Sequence, residues 1–153
     1  MPMIDVTFPE GALTDDERSA LGEGLTTALL HAERAPDTDF FRNVTWIYLH
    51  ELPEGTVLAA GRPVEEPTFR IIATTPEGAL SDRRRAEFVT EATRVVREVT
   101  GIAEEESLRI WVLCREIDEG SWGAGGSVIQ FQQLREAAKQ QREQAEAAAA
   151  PTG

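Results

Sequence analysis

A heptapeptide written twice constrains this chain more than any other feature of it. Pro9-Glu10-Gly11-Ala12-Leu13-Thr14-Asp15 returns 67 residues later as Pro76-Glu77-Gly78-Ala79-Leu80-Ser81-Asp82. Trp46, Glu51 and Gly55 return 65 residues later as Trp111, Glu116 and Gly120. Two blocks in the same order at nearly one offset imply a duplicated supersecondary unit, over about residues 2–62 and 67–128. Two copies are too few to stack as a solenoid. They are expected to form a single domain over 1–128, with 129–153 as a tail.

Each copy reads as strand, helix, strand. Ile4, Val6 and Phe8 alternate on one face, as in a half-buried strand. Thr14 is placed to cap a helix, with Glu17 three residues on to complete a capping box. Leu21, Leu25, Ala28, Leu29 and Ala32 recur at helical spacing, and Pro36 ends the helix. Residues 44–50, rich in β-branched and aromatic types, make the second strand. In the second copy Phe69 to Thr75 is the strand and Ser81 the cap. Phe88, Ala92, Val95, Val96 and Val99 are the stripe, Gly101 is the stop, and Leu108 to Cys114 closes the unit. A helix between two strands demands a parallel crossover. Two such units side by side give a four-stranded sheet with both helices on one face. The other face, with Trp46, Tyr48 and Trp111 available, is then uncovered, and oligomerisation is the simplest way to bury it.

Composition narrows the function classes. With 153 residues, 41 % of them hydrophobic, the chain can bury an ordinary core. A formal charge of −12 argues against nucleic acid or an anionic membrane surface as partner. Cys114 is the one cysteine, so no intrachain disulfide can form and no cysteine-based metal site is supported. No histidine and carboxylate spacing resembles a metal site, and no catalytic triad is visible. The expectation is chemistry without metal or cofactor. With no signal peptide and no spanning apolar run, the chain reads as soluble and cytoplasmic.

The residue with the sharpest chemistry is Pro2. If Met1 is removed, Pro2 becomes a terminal secondary amine, whose ordinary pKa lies within reach of neutrality. Lowered modestly by a low-dielectric pocket or nearby cations, it becomes a base suited to moving protons at pH 7. With Met1 retained, its nitrogen is an amide without basicity. After each second strand comes a glycine-punctuated segment, Glu51 to Gly61 and Glu116 to Gly126, which reads as a hairpin closing the unit. Neither has the lysine and following helix of a phosphate-binding loop.

The Pro after Met, the strand into Glu-Gly, the repeated β-α-β unit and the Gly120-Ser121-Trp122-Gly123-Ala124-Gly125-Gly126 ending resemble the tautomerase superfamily. The resemblance spans about residues 2–128 and is nearest in outline to long two-unit members of the cis-3-chloroacrylic acid dehalogenase type. It implies the tautomerase fold, α/β (α+β), with a four-stranded mixed sheet. It also implies a homotrimer with sites near subunit boundaries. Pro2 would be the general acid/base on a small enolisable carbonyl compound, and Trp122 would match the family's aromatic wall.

The chain departs from the family pattern where the single-unit enzyme carries an arginine after Glu-Gly; here stand Ala12 and Ala79. A second arginine position falls near Trp111. Hydrolytic dehalogenation needs a water-activating carboxylate, for which no match is seen. By strand parity Arg109, Trp111, Leu113 and Arg115 share a face, matched by Trp46, Tyr48 and His50. Arg115 is the preferred holder of a substrate carboxylate or carbonyl, with Arg109 and Trp111 beside it. His50 is a candidate second acid or base. Arg70, one step beyond the repeat counterpart of Pro2, is expected near the mouth of the site. Arg83-Arg84-Arg85 reads as a solvated run, unfavourable to the helix dipole there. Glu51 and Glu116, recurring at one offset, suggest a structural role. From Gln130 the tail turns polar, as a frayed helix or disordered segment whose start Phe131 and Leu134 would anchor. The alternatives to a tautomerase are a catalytically diverged binding or assembly module, or a hydratase, dehalogenase, decarboxylase or biosynthetic relative.

Overall fold

Both units open on a strand that alternates between core and solvent, and both turn on a glycine that the backbone requires. In this computed structural model, residues 2–149 are described, apart from the side chains of Arg142 and 144–149. Met1 and the expected tail end at Pro151 lie outside the described residues. Strand β1 (Met3–Pro9) buries Ile4, Val6 and Phe8. The chain then turns through Gly11 at φ 78°, in the left-handed region that a side chain disfavours. Thr14 caps α1 (Asp15–Glu33) in the full capping box: the Glu17 carboxylate accepts the Thr14 N–H at 2.7 Å, and the Thr14 hydroxyl accepts the Glu17 N–H at 3.3 Å. The helix stops at Arg34, itself left-handed at φ 59°, four residues after the last buried leucine and before Pro36.

A short helix α2 (Asp39–Asn43), capped by Thr38, precedes β2 (Trp46–Leu52). The β-branched run begins earlier, at Val44, but Thr45 is drawn into the helix end by donating to the Phe41 carbonyl at 2.8 Å. A hairpin of β3 (Leu58–Ala59) and β4 (Arg62–Pro63) closes the unit. The second unit repeats the plan with β5 (Phe69–Pro76), α3 (Asp82–Thr100) from its Ser81 cap to its Gly101 stop, and β6 (Ile110–Ile117). Leu108 and Arg109, expected to begin that strand, lie in a 3₁₀ helix (Glu104–Arg109). In both units the indole of the first strand tryptophan donates back to that turn: Trp46 to the Asn43 carbonyl at 3.1 Å, Trp111 to Leu108 at 3.0 Å. The hairpin of β7 (Gly123–Ala124) and β8 (Ser127–Val128) follows, and then α4 (Phe131–Ala149).

The strand order is β2-β1-β5-β6. β1 pairs with β2 and β5 with β6 in parallel, as each crossover helix demands, while β1 and β5 meet antiparallel at the centre. The sheet is therefore mixed. Helices α1 and α3 cover one face, and the rings of Phe8 and Phe69 stack at 5.9 Å across the central junction. Glu51 pairs with Arg18, and Glu116 pairs with Arg85 at 3.0 Å, so each recurring glutamate ties a strand end to the first turns of its unit's helix. Cys114 faces the core, and burial pushes its thiol pKa up, away from a reactive thiolate. The second face stays open: Trp46 is 61 % and Trp111 66 % exposed. Among the described residues no helix is long and apolar enough to cross a membrane.

The two helices meet at Gly24, where an added Cβ would stand 2.6 Å from Val95 Cγ1; at Gly22 it would meet nothing within 4 Å. Gly22→Ala should therefore stabilise the fold by about 0.5–1 kcal/mol through helix propensity. Gly24→Ala should destabilise it, because overpacking of about 1–3 kcal/mol outweighs that gain. Urea midpoints of the two variants should move in opposite directions.

Candidate active site

The antiparallel centre decides what surrounds Pro2. Met3 lies opposite Thr74 on one side and Trp46 on the other, so the start of β1 meets the start of β2 and the ends of β5 and β6. Pro2 is buried there, its carbonyl accepting the Trp46 N–H at 3.4 Å. It forms part of the wall of two cavities. One, of about 700 Å³, is apolar and lined by Val44, Trp46, Tyr48, Ile117 and Trp122. The Trp122 backbone is held at the base of its hairpin, where its carbonyl accepts the Ile129 N–H at 2.8 Å. The other cavity, of about 960 Å³, lies between the end of α1, the start of α3 and the first turns of α4.

The second cavity is polar and mixed in charge. Glu33, the last residue of α1, faces it from a partly buried position. Burial pushes the Glu33 carboxyl from its ordinary 4.5 up to about 7, against the opposing pull of the positive amino terminus. Arg84 lines the same space and donates from Nη1 to the Ala79 carbonyl at 3.4 Å. Ala79, one of the two alanines standing where an arginine is expected, is buried at the cavity wall, so Arg84 brings a guanidinium next to that position. Arg135 and Lys139 line the cavity from α4. That helix is tied down at its first residue, where the Glu119 carboxylate accepts the Phe131 N–H at 2.9 Å, and along its length by Thr38 donating to Gln141 at 2.9 Å.

Of the residues singled out in the sequence, Pro2 and Trp122 are brought together. Arg115, Arg70, Trp111 and His50 stand on the open face of the sheet, Arg109 lies in the 3₁₀ helix before β6, and none of the five lines either cavity. Arg115 shares the row of Met3 and Thr74, two strands from β1, or about 10 Å sideways. Arg70 does not lie at the mouth beside Pro2: the antiparallel junction places it opposite Thr7, about 17 Å along β1, where it donates to the Thr7 hydroxyl at 3.1 Å. Trp111 is beside Arg70 in the next strand. Arg109 is engaged at that same far end, donating to the Pro67 carbonyl at 3.0 Å and pairing with Glu106 at 2.9 Å. His50 is also level with Thr7, with Nε2 2.6 Å from Asp5 Oδ1.

Glu33, Arg84, Glu119, Arg135 and Lys139 were not foreseen as parts of the site, and Arg84 was expected in solvent. One signal was available for the first two. Glu33 ends a helix and Arg84 begins one, each with the charge that the helix dipole opposes there. A residue held against the dipole on both counts invites a reason beyond the helix itself.

The Glu33 shift carries a signed consequence for stability. Its folded-state pKa is raised, so the neutral carboxyl favours the fold. That contribution is full below about 4.5 and is lost as pH rises through about 7. Glu33→Gln, which keeps the neutral shape, should gain stability over the wild type at pH 8 relative to pH 4. Urea midpoints at the two pH values measure it; an equal difference at both would mean the carboxyl titrates normally.

The family model described as Tautomerase enzyme matches residues 71–132, from β5 into the start of α4. Among solved structures, Pt0534 inactivated by 2-oxo-3-pentynoate is 23 % identical with a TM-score of 0.70, over 86 % of this chain and 98 % of that one. The R7 fused 4-OT wild type asymmetric trimer is 23 % identical with a TM-score of 0.69, over 82 % and 94 %. N1, a member of the cis-3-chloroacrylic acid dehalogenase family, is 20 % identical with a TM-score of 0.72, over 97 % and 99 %. No curated protein matches the sequence. These structures share the fold across both units, and the family model matches within the second: the chain has the fold of these tautomerase-type structures.

Proposed function

We propose that the protein is a cofactor-independent tautomerase that uses Pro2, freed by removal of Met1, as general acid/base on a small enolisable carbonyl acid. One observation carries this reading: Pro2 is buried in the wall between an apolar cavity and a cation-bearing one. The apolar side, with Trp122 and Trp46, suits the hydrocarbon part of a substrate and excludes water from the reacting carbon. Arg84, Arg135 and Lys139 on the other side suit a carboxylate and the negative charge that an enolate oxygen develops. Burial and these cations both lower the pKa of an amine, which favours the free base near neutrality. The alanines at 12 and 79 spoke for a binding module; Arg84 beside Ala79 speaks for chemistry.

The chain assembles, on this reading, as a homotrimer in the cytoplasm. The trimeric state of fused 4-OT, named as such, and the exposed aromatic face support it. Arg115, His50, Arg70 and Trp111 then act across a subunit boundary, because they stand on that face, while Arg109 is held at the far end of the sheet. Trp111→Asp should release monomers in sedimentation experiments, since it buries an unpaired carboxylate in the contact.

The test of the catalytic reading is direct. Intact-mass spectrometry should find Met1 absent and Pro2 modified once by 2-oxo-3-pentynoate. An alanine inserted before Pro2 converts its nitrogen to an amide and should cut enol–keto interconversion of small 2-oxo acids by about 10²-fold or more. Equal rates for the two chains would exclude the proline mechanism.

A further inference from the structure

We propose that Glu33 is a second proton-transfer group of this site, giving a proton to the substrate's carbonyl oxygen while the Pro2 nitrogen takes one from the neighbouring carbon. The inference rests on the proline reading and adds the partner that a one-base site lacks. Glu33 and Pro2 line the same cavity, one from the last residue of α1 and the other from the start of β1. Among the described residues, no side chain forms a hydrogen bond or ion pair with the Glu33 carboxyl. Of the other two carboxylates in that wall, Glu119 is committed to the first N–H of α4, and Glu136 accepts from the Gln132 side chain at 3.4 Å. Among the described residues, Glu33 thus stays against the helix dipole and partly buried with no side-chain bond in return.

The remaining charged groups facing the cavity are Arg34, Arg84, Glu119, Arg135, Glu136 and Lys139. Its arginines and lysine serve as positive charge around the substrate. Burial brings the Glu33 carboxyl into that range, so it is present as an acid at neutral pH and as a base after donating. Glu33 also tunes its partner: a carboxylate beside an ammonium raises the amine's pKa, opposing the cations.

The step balances within the pair. Pro2, as free amine, removes the hydrogen on the carbon next to the carbonyl as a proton. The C–H electron pair becomes the carbon–carbon double bond, and the carbonyl π pair takes the Glu33 proton as O–H. The enol leaves Pro2 as ammonium and Glu33 as carboxylate. A proton passing from the first to the second restores both, and no co-reactant is consumed.

Modification of Pro2 by 2-oxo-3-pentynoate tests this, because addition of the amine to the alkyne needs a proton delivered to the developing enolate. The limiting labelling rate and its pH midpoint are measured by intact mass for the wild type, Glu33→Gln and Glu33→Asp. For Glu33→Gln the limiting rate should fall by about 10²-fold, and the midpoint should drop by about one pH unit. Glu33→Asp should recover part of the rate. A Glu33→Gln chain labelled at the wild-type limiting rate overturns the role of Glu33, even if its midpoint moves, since a merely electrostatic neighbour shifts the midpoint alone. A wild-type chain that is not labelled at Pro2 overturns the proline reading itself, and this inference with it.

Discussion

The antiparallel pairing of β1 with β5 is the contact on which everything else depends. Each unit on its own is a parallel strand pair under a helix, with both edges unpaired. Joining β1 to β5 pairs the inner edge of each unit, leaving β2 and β6 at the rims, and stacks Phe8 on Phe69. It also lays α1 against α3 closely enough that a Cβ at position 24 would press on Val95. It reverses the second unit relative to the first, so the end of β6 and its glycine-rich hairpin come to the start of β1. At the other end of the sheet the counterpart of Pro2 is Phe69, whose nitrogen is an internal amide. Two equivalent units therefore offer one candidate amine per chain.

The charge of the cavity runs against the charge of the protein. The chain carries −12 overall, yet Arg34, Arg84, Arg135 and Lys139 gather around Pro2 with Glu33, Glu119 and Glu136. With Glu33 partly neutral near pH 7, the cavity holds a local excess of positive charge in an acidic surface. Such an inversion draws an anion inward and repels it elsewhere. The amine at its wall feels three influences: burial and cations lower its pKa, and a nearby carboxylate raises it. Chemistry at neutral pH needs these to stay nearly matched.

The helix α4 joins the site without belonging to either unit. Its composition is that of a solvated helix, with its apolar residues concentrated in the first turns. It is placed by two polar ties, from Glu119 and from Thr38, and its basic side chains reach the cavity for that reason. Sequence periodicity cannot report such a placement, because the ties involve residues 12 and 103 positions away from their partners.

Local regularities settled most of what the chain is. The duplicated Glu-Gly turn, the capping box at Thr14, the stripes on α1 and α3 and the paired Glu51 and Glu116 depend on residues within a few turns of each other, or on one repeat offset. Pro2 stood out for the same reason: a terminal amine is a property of sequence position. What the tertiary structure alone decided is the direction in which the two units meet. Parity put Arg115, His50 and Trp111 on one face correctly as a pattern, but that face is the open one. The antiparallel junction moved Arg70 to the far end and drew in Glu33, Arg84 and α4 instead. A repeat determines the shape of each unit, since its interactions are short in sequence. It leaves open how two copies are turned against each other, because that is chosen by contacts between faces that no sequence spacing links.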